Sequence, residues 1–276
     1  MADGTHWRTA ETDPRYWNMI GPFGGWSAAL LVDAVMAQSD EAYTPISGSF
    51  SFARGLVAGT FEIGTRVVRR NRSTVFWWAQ ARQRQGDDDA HCAHASIVLA
   101  RRHASPAFAE LTMPPVPPPE DLAAFGPAAL PVEWPRMYDM RPAPVAPGGS
   151  AVDGTRTLWW VRALDRSIAG YAGLTALCDT TFPRIFYRLA RPVPISTVTM
   201  NVFFHAGAGD VARIEGDFLL ADASMRVASR GFYDEHALLW SRDGRLIAAT
   251  EQIVWFRTEG EEERYVPNVP TPAGVH

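Results

Sequence analysis

Gly21-Pro22-Phe23-Gly24-Gly25-Trp26 runs directly into Ser27-Ala28-Ala29-Leu30-Leu31-Val32-Asp33-Ala34-Val35-Met36-Ala37-Gln38, and the reading of this stretch decides the fold. A glycine pair opens into a run of good helix formers that is apolar almost all round. A helix with so little polar surface has no solvent face, so it is expected inside the molecule rather than on it. The glycines ahead of it let a ligand approach the amide donors at the helix N-terminus, where the dipole favours developing negative charge. Downstream, from Pro45 to Arg102, the pattern reads as long strands without another helix. One enclosed helix wrapped by a curved antiparallel sheet is the expected unit.

Working outward, Ile46 to Phe52 alternates with period two, and Phe61 to Arg70, Ser73 to Gln83 and Ala90 to Arg101 read as further strands. The opening from Trp7 to Asn18 is aromatic and polar with no clear period. Between Ser105 and Gly149 the proline-rich stretches Met113 to Pro119 and Arg141 to Gly149 read as a connection crossing the surface. The second half then repeats the first. Gly173 to Asp179 resembles Ser27 to Asp33, Pro45-Ile46-Ser47 recurs as Pro194-Ile195-Ser196, and Ser96-Ile97-Val98 as Gln252-Ile253-Val254. Three offsets of nearly the same length argue duplication better than any single match. A second central helix is expected over 168–188. Strands are expected at Thr157 to Ala163, Ile195 to His205, Ala212 to Leu220, Ala223 to Tyr233, Ala237 to Ser241 and Leu246 to Arg257. The fold class is therefore α+β, a double hotdog: one unit over 1–104, a linker over 105–151, a second unit over 152–260 and a charged tail over 261–276.

Composition excludes several functions. A formal charge of −4 over 276 residues gives no global attraction to nucleic acid or to an anionic membrane. No apolar run is long enough to span a bilayer and the first residues lack a signal-like core, so a cytoplasmic protein with no membrane partner is expected. Cys92 and Cys178 lie in apolar segments and read as buried free thiols. His91 and His94 flank Cys92, but an odd separation on a strand points them to opposite faces. No metal and no other cofactor is expected. No Gly-x-Ser-x-Gly elbow, phosphate-binding glycine loop or Cys-x-x-Cys is present.

Three features taken in order resemble the acyl-CoA thioesterase II (TesB-like) family, whose members are double hotdogs. They are Phe23-Gly24-Gly25 before the enclosed helix, then Val202-Phe203-Phe204-His205, then Asp243-Gly244-Arg245 leading through Leu246 to Gln252. The resemblance implies hydrolysis of an acyl-CoA thioester by an activated water, self-association, and a place in fatty acid metabolism. It also implies a catalytic Asp, a Ser or Thr, and a Gln. Only Gln252 is retained. Thr199 stands at the Asp position and Arg226 at the hydroxyl position.

Thr199 can hold a water but is no base at neutral pH. Arg226 either meets a CoA phosphate or points to solvent, and Ser224, on the same strand face, is a substitute hydroxyl. Gly24, Gly25 and Trp26 are the expected substrate-binding residues through their helix amides. Asp179, in an apolar helix, is the other carboxylate to watch, either as a base or as a structural group bonded to backbone or Arg184; Asp33 at the same repeat position favours the structural use. With Gln252 and Thr199 alone, turnover is expected to trail the family's by about 10²–10⁴-fold. Two further readings stay open: an acyl-CoA or acyl-chain binder that has lost catalysis, and a hotdog dehydratase or hydratase.

Overall fold

The computed structural model describes residues 4–126, 132–144, 154–189 and 192–258. Its framework is one 12-stranded antiparallel sheet that carries both halves of the chain. In chain order the first half contributes β1 (His6–Glu11), α1 (Gly24–Met36), β2 (Thr44–Phe52), β3 (Thr60–Arg70), β4 (Thr74–Gln85) and β5 (Asp88–Ala100). The second contributes β6 (Tyr138–Ala143), β7 (Thr157–Ala163), α2 (Gly170–Leu177), β8 (Ile195–Phe204) and α3 (Ala208–Ile214). It continues with β9 (Leu219–Ser224), β10 (Ala228–Ser229), β11 (Phe232–Ser241) and β12 (Leu246–Phe256). Strand order is β1-β3-β4-β5-β2-β8-β12-β11-β9-β7-β6, with β10 appended to β11.

The duplicated Pro-Ile-Ser strands meet at the centre. Phe50 of β2 lies opposite Met200 of β8 in antiparallel register, and each half fans outward from that seam. Arg102 staples it, donating from Nη2 to the Pro45 carbonyl at 3.0 Å in its own half and to the Phe204 carbonyl at 2.6 Å in the other. The two helices pack on each other and share a single core with the inward side chains of the central strands. Eight buried residues of α1 confirm a helix enclosed on nearly every side.

Several elements differ from expectation. α2 ends at Leu177 with Cys178 as its cap, because the β-branched pair Thr180-Thr181 and then Pro183 close off the helix; a 3-10 turn at Arg184–Tyr187 follows. The start of the expected strand Ala212 to Leu220 is helical. Gly207 caps α3, with Asp210 Oδ2 accepting from the Gly207 amide at 3.0 Å. The expected strand Ala223 to Tyr233 breaks at Arg230-Gly231, where both residues have positive φ (53° and 81°), as a two-residue hairpin turn requires.

The aperiodic N-terminus forms edge strand β1 against β3, and part of the connection forms the opposite edge, β6. Pro142 is tolerated in β6 because, among the described residues, no strand lies on its other side to receive an amide. The proline-rich segment before β6 covers the outer face of the sheet at β7, β9 and β11. Met113, Val116 and Leu122 pack on Leu158, Trp160, Phe218, Leu220 and Trp240, and Trp160 Nε1 donates to the Pro117 carbonyl at 2.9 Å. Both cysteines are free and buried.

Candidate active site

The N-terminus of α1 abuts the C-terminus of α2, and Asp179 sits at that junction, just beyond the α2 cap. Phe23, at the N-cap of α1, has no side chain to accept from the first-turn amides. The carboxylate of Asp179 does so from across the interface, accepting the Gly25 backbone N–H. The glycine pair makes this approach feasible. A Cβ at Gly24 would stand 3.0 Å from Asp179 Oδ2, and one at Gly25 would stand 2.8 Å from the Ala176 carbonyl oxygen.

Gln252 of β12 is the second partner of Asp179. Its Oε1 accepts from the Thr197 hydroxyl at 3.3 Å, which leaves its Nε2 to donate to the Asp179 carboxylate. Burial is the largest influence on that carboxyl and pushes its pKa up to about 7; the Gln252 and Gly25 hydrogen bonds oppose the rise and the charge of Glu235 adds to it. A carboxyl near neutrality, at a helix N-terminus and beside an amide, can take a proton from water at physiological pH.

Glu235 completes the polar cluster. It lies opposite Gln252 in the β11–β12 register and points to the same inward face. Thr181 donates its hydroxyl to Glu235 Oε1, and the buried Arg184 guanidinium places Nε 3.8 Å from Glu235 Oε2. Arg184 is otherwise committed to neutral acceptors, donating to the carbonyls of Phe182 at 2.7 Å, Thr155 at 3.0 Å and Ala223 at 3.3 Å and to the Thr157 hydroxyl at 2.5 Å. It therefore pairs with Glu235, not with Asp179.

The structure separates the other expected site residues. A bulge between Ile253 and Val254 shifts the β12–β8 register, so Thr199 stands opposite Ile253 while Thr197 stands opposite Val254. Ile253 is 41% exposed, and Thr199 shares its outer face; Gln252 faces inward. The expected Thr199–Gln252 pair is not formed, and Thr197 takes the place beside Gln252. Ser224 also lies outside the cluster, its Oγ 2.7 Å from His236 Nε2. Arg226 forms a surface ion pair with Glu251 at 2.7 Å, its side chain 58% exposed. Gly24, Gly25 and Trp26 are at the junction, with the Trp26 indole buried between Tyr16 and Phe61.

Asp33 shows how far the two halves have diverged. It lies within α1, exposed, and pairs with Arg8 at 2.8 Å. Stepping outward from the seam in the first half, the positions matching Gln252 and Glu235 are Ala95 and Ala79. The polar cluster therefore belongs to the second half alone.

His91 and His94 are brought together, against expectation. The strand bulges opposite Ala81 and Arg82, so His91 Nε2 lies 3.0 Å from His94 Nδ1. Among the described residues no group of three or more metal-binding side chains forms.

Sequence reading missed Glu235, Thr181 and Thr197. Glu235 had a signal: it interrupts the inward phase Tyr233, Ala237, Leu239 with a carboxylate. Thr197 had none, since the bulge that turns it inward follows from pairing.

A family model described as the acyl-CoA thioesterase C-terminal domain matches residues 109–256, and one described as the acyl-CoA thioesterase N-terminal domain matches residues 13–100. A crystal structure of a hot dog-fold protein of unknown function from Alicyclobacillus acidocaldarius is 33% identical, with a TM-score of 0.83 over 94% of this chain and 96% of its own. A structure provisionally assigned as a thioesterase II from Thermobifida fusca shares 21% identity and a TM-score of 0.74 over 93% and 94% of the two chains. The acyl-CoA thioesterase II TesB2 of Mycobacterium marinum shares 18%, with a TM-score of 0.70 over 92% and 93%. The last two show the fold alone. No curated protein matches the chain. Among the described residues no helix is long and apolar enough to cross a membrane.

Proposed function

The chain belongs to the acyl-CoA thioesterase family, and on that premise we propose that it hydrolyses an acyl-CoA thioester with Asp179 as general base. The observation that carries this reading is the Asp179 carboxyl, held at the α1 N-terminus beside Gln252 with its pKa pushed up to about 7 by burial. A water held by Gln252 and Asp179 gives its proton to the carboxylate as its oxygen adds to the thioester carbon. The developing oxyanion lies toward the amides of the first turn of α1, where the helix dipole favours it. Collapse breaks the carbon–sulfur bond. The CoA thiolate leaves and recovers the proton from Asp179, so the products are a free acid and CoA thiol.

This assigns Asp179 the role that the family resemblance gave to the Thr199 position, and it removes Thr199, Ser224 and Arg226 from the reacting centre. Their place on the outer face supports that removal. The proposal needs no metal or redox cofactor. The reading extends to a cytoplasmic protein that acts on acyl-CoA in fatty acid metabolism.

Incubation with acyl-CoAs of graded chain length and a free-thiol reagent is the test. Thiol release above the uncatalysed rate is expected for at least one chain length. Thermal stabilisation by acyl-CoA with no release would instead identify a binder.

A further inference from the structure

Glu235 has no part in the hydrolysis as written, yet it is a buried carboxylate within the same cluster. Two features tie it to Asp179. Across the β11–β12 pair it stands against Gln252, the residue whose amide bonds Asp179. Across to the segment after α2, it accepts the Thr181 hydroxyl, two residues beyond Asp179, and Arg184 draws in the same segment through the Phe182 carbonyl. Glu235 and Arg184 thus tether the backbone that carries Asp179 at one end, and Glu235 flanks its amide partner at the other.

We propose that Glu235 is a positioning residue for the base, fixing Asp179 and Gln252 and presenting a like charge behind the Asp179 carboxylate. The proposal rests on the reading of Asp179 as the base. The groups around the pair leave Glu235 as the charge that matters. From α1 comes the Gly25 N–H, from β12 Gln252, from β8 Thr197, and from the end of α2 Cys178, whose thiol is kept protonated by burial. Tyr138 of β6, Tyr187 of the 3-10 turn and Tyr233 of β11 also face the cluster, and burial raises each phenol above its ordinary value, so all three are neutral. Arg184 is the cation, and it lies on the Glu235 side. Burial raises the Glu235 carboxyl above its ordinary value, and the Arg184 guanidinium and the Thr181 hydroxyl oppose that rise; as a carboxylate it makes Asp179 a stronger base than it would be alone.

The first test is the pH dependence of kcat in Glu235→Gln, which keeps the shape and an acceptor for Thr181. Its acid limb is expected to move down by ~0.5 unit or more as the like charge is lost. The plateau is expected to fall about two- to tenfold as the base weakens, with KM nearly unchanged. A folded variant whose limb does not move, or in which KM alone rises, overturns the proposal.

Glu235→Gln alone leaves Arg184 buried without a counter-charge, so a second variant, Glu235→Gln/Arg184→Met, removes both charges together. Its readout needs no activity: the ¹³C carboxyl titration of Asp179 in wild type and in the double variant. Loss of the like charge requires Asp179 to titrate at lower pH, whereas loss of the Arg184 cation alone could only raise it. An unmoved or raised Asp179 overturns the proposal whether or not any acyl-CoA is hydrolysed, whereas a lowered Asp179 without turnover sustains the coupling and defeats only the assigned reaction.

Discussion

Asp179 holds its proton more tightly in the fold than in an unfolded chain, with a pKa of about 7 against 3.8. The stability this contributes is complete below pH ~4 and is lost as pH rises through about 7, because the folded state must then carry a buried charge. Asp179→Asn keeps the shape without that charge. It is expected to unfold at higher temperature than wild type at pH 8, by several degrees at about 2–4 °C per kcal/mol, and to lose the advantage at pH 5. Differential scanning calorimetry at the two pH values checks this; a purely structural Asp would make the variant less stable at both. Position 199 separates the two readings of the sequence. Thr199→Asp is expected to leave activity unchanged, since it adds a carboxylate to the outer face. Thr197→Val is expected to lower kcat about threefold to tenfold by freeing Gln252 to turn. Asp179 was legible as a carboxylate in an apolar run. Thr197 was not, because a strand's inward phase is set by its neighbour and a bulge inverts it.

At the scale of elements, the junction of α1 and α2 does the positioning. A Cβ at Gly25 would lie 2.7 Å from the Phe23 ring and 2.8 Å from the Ala176 carbonyl, so the helices must part to admit it. Gly25→Ala is expected to cost ~1–3 kcal/mol and to reduce kcat at least tenfold, as the Gly25 N–H leaves Asp179. Gly209→Ala in α3, where a Cβ meets nothing within 4 Å, is the control and should be neutral or slightly stabilising. Urea denaturation and thiol release on both variants give the comparison. The central helix was legible from its missing polar face. The edge strands were not: β1 and β6 each pair on one side only, so neither needs a clean alternation, and Pro142 in β6 argued against a strand. α3 was hidden for a similar reason, its one buried residue, Val211, leaving almost no periodic signal.

For the whole molecule, duplication was visible in the repeated Pro-Ile-Ser and its companions, and the β2–β8 seam is its structural consequence. What repetition could not show is that chemistry survives in one half only. Asp33 matches Asp179 by sequence, yet it is solvated on Arg8, and the first half offers Ala79 and Ala95 where the second offers Glu235 and Gln252. One site per chain is the expectation, with one equivalent of bound acyl-CoA by calorimetry. The outer sheet face also carries Phe76, Phe203 and Ile253, each more than a third exposed, on strands β4, β8 and β12. Self-association is expected, and light scattering at micromolar concentration should give a multiple of 30.4 kDa, not the monomer mass.

The central claim is that Asp179 takes the proton of the attacking water. Its most direct measurement is kcat for thiol release from acyl-CoA between pH 5 and 9, in wild type and in Asp179→Asn. Because the carboxylate form is the active one, the wild-type rate should rise with pH through about 7 and then level off. The Asn variant should be slower by about 10²–10⁴-fold with no limb near 7. An Asn variant that is folded and turns over at the wild-type rate with the same pH profile would contradict the account.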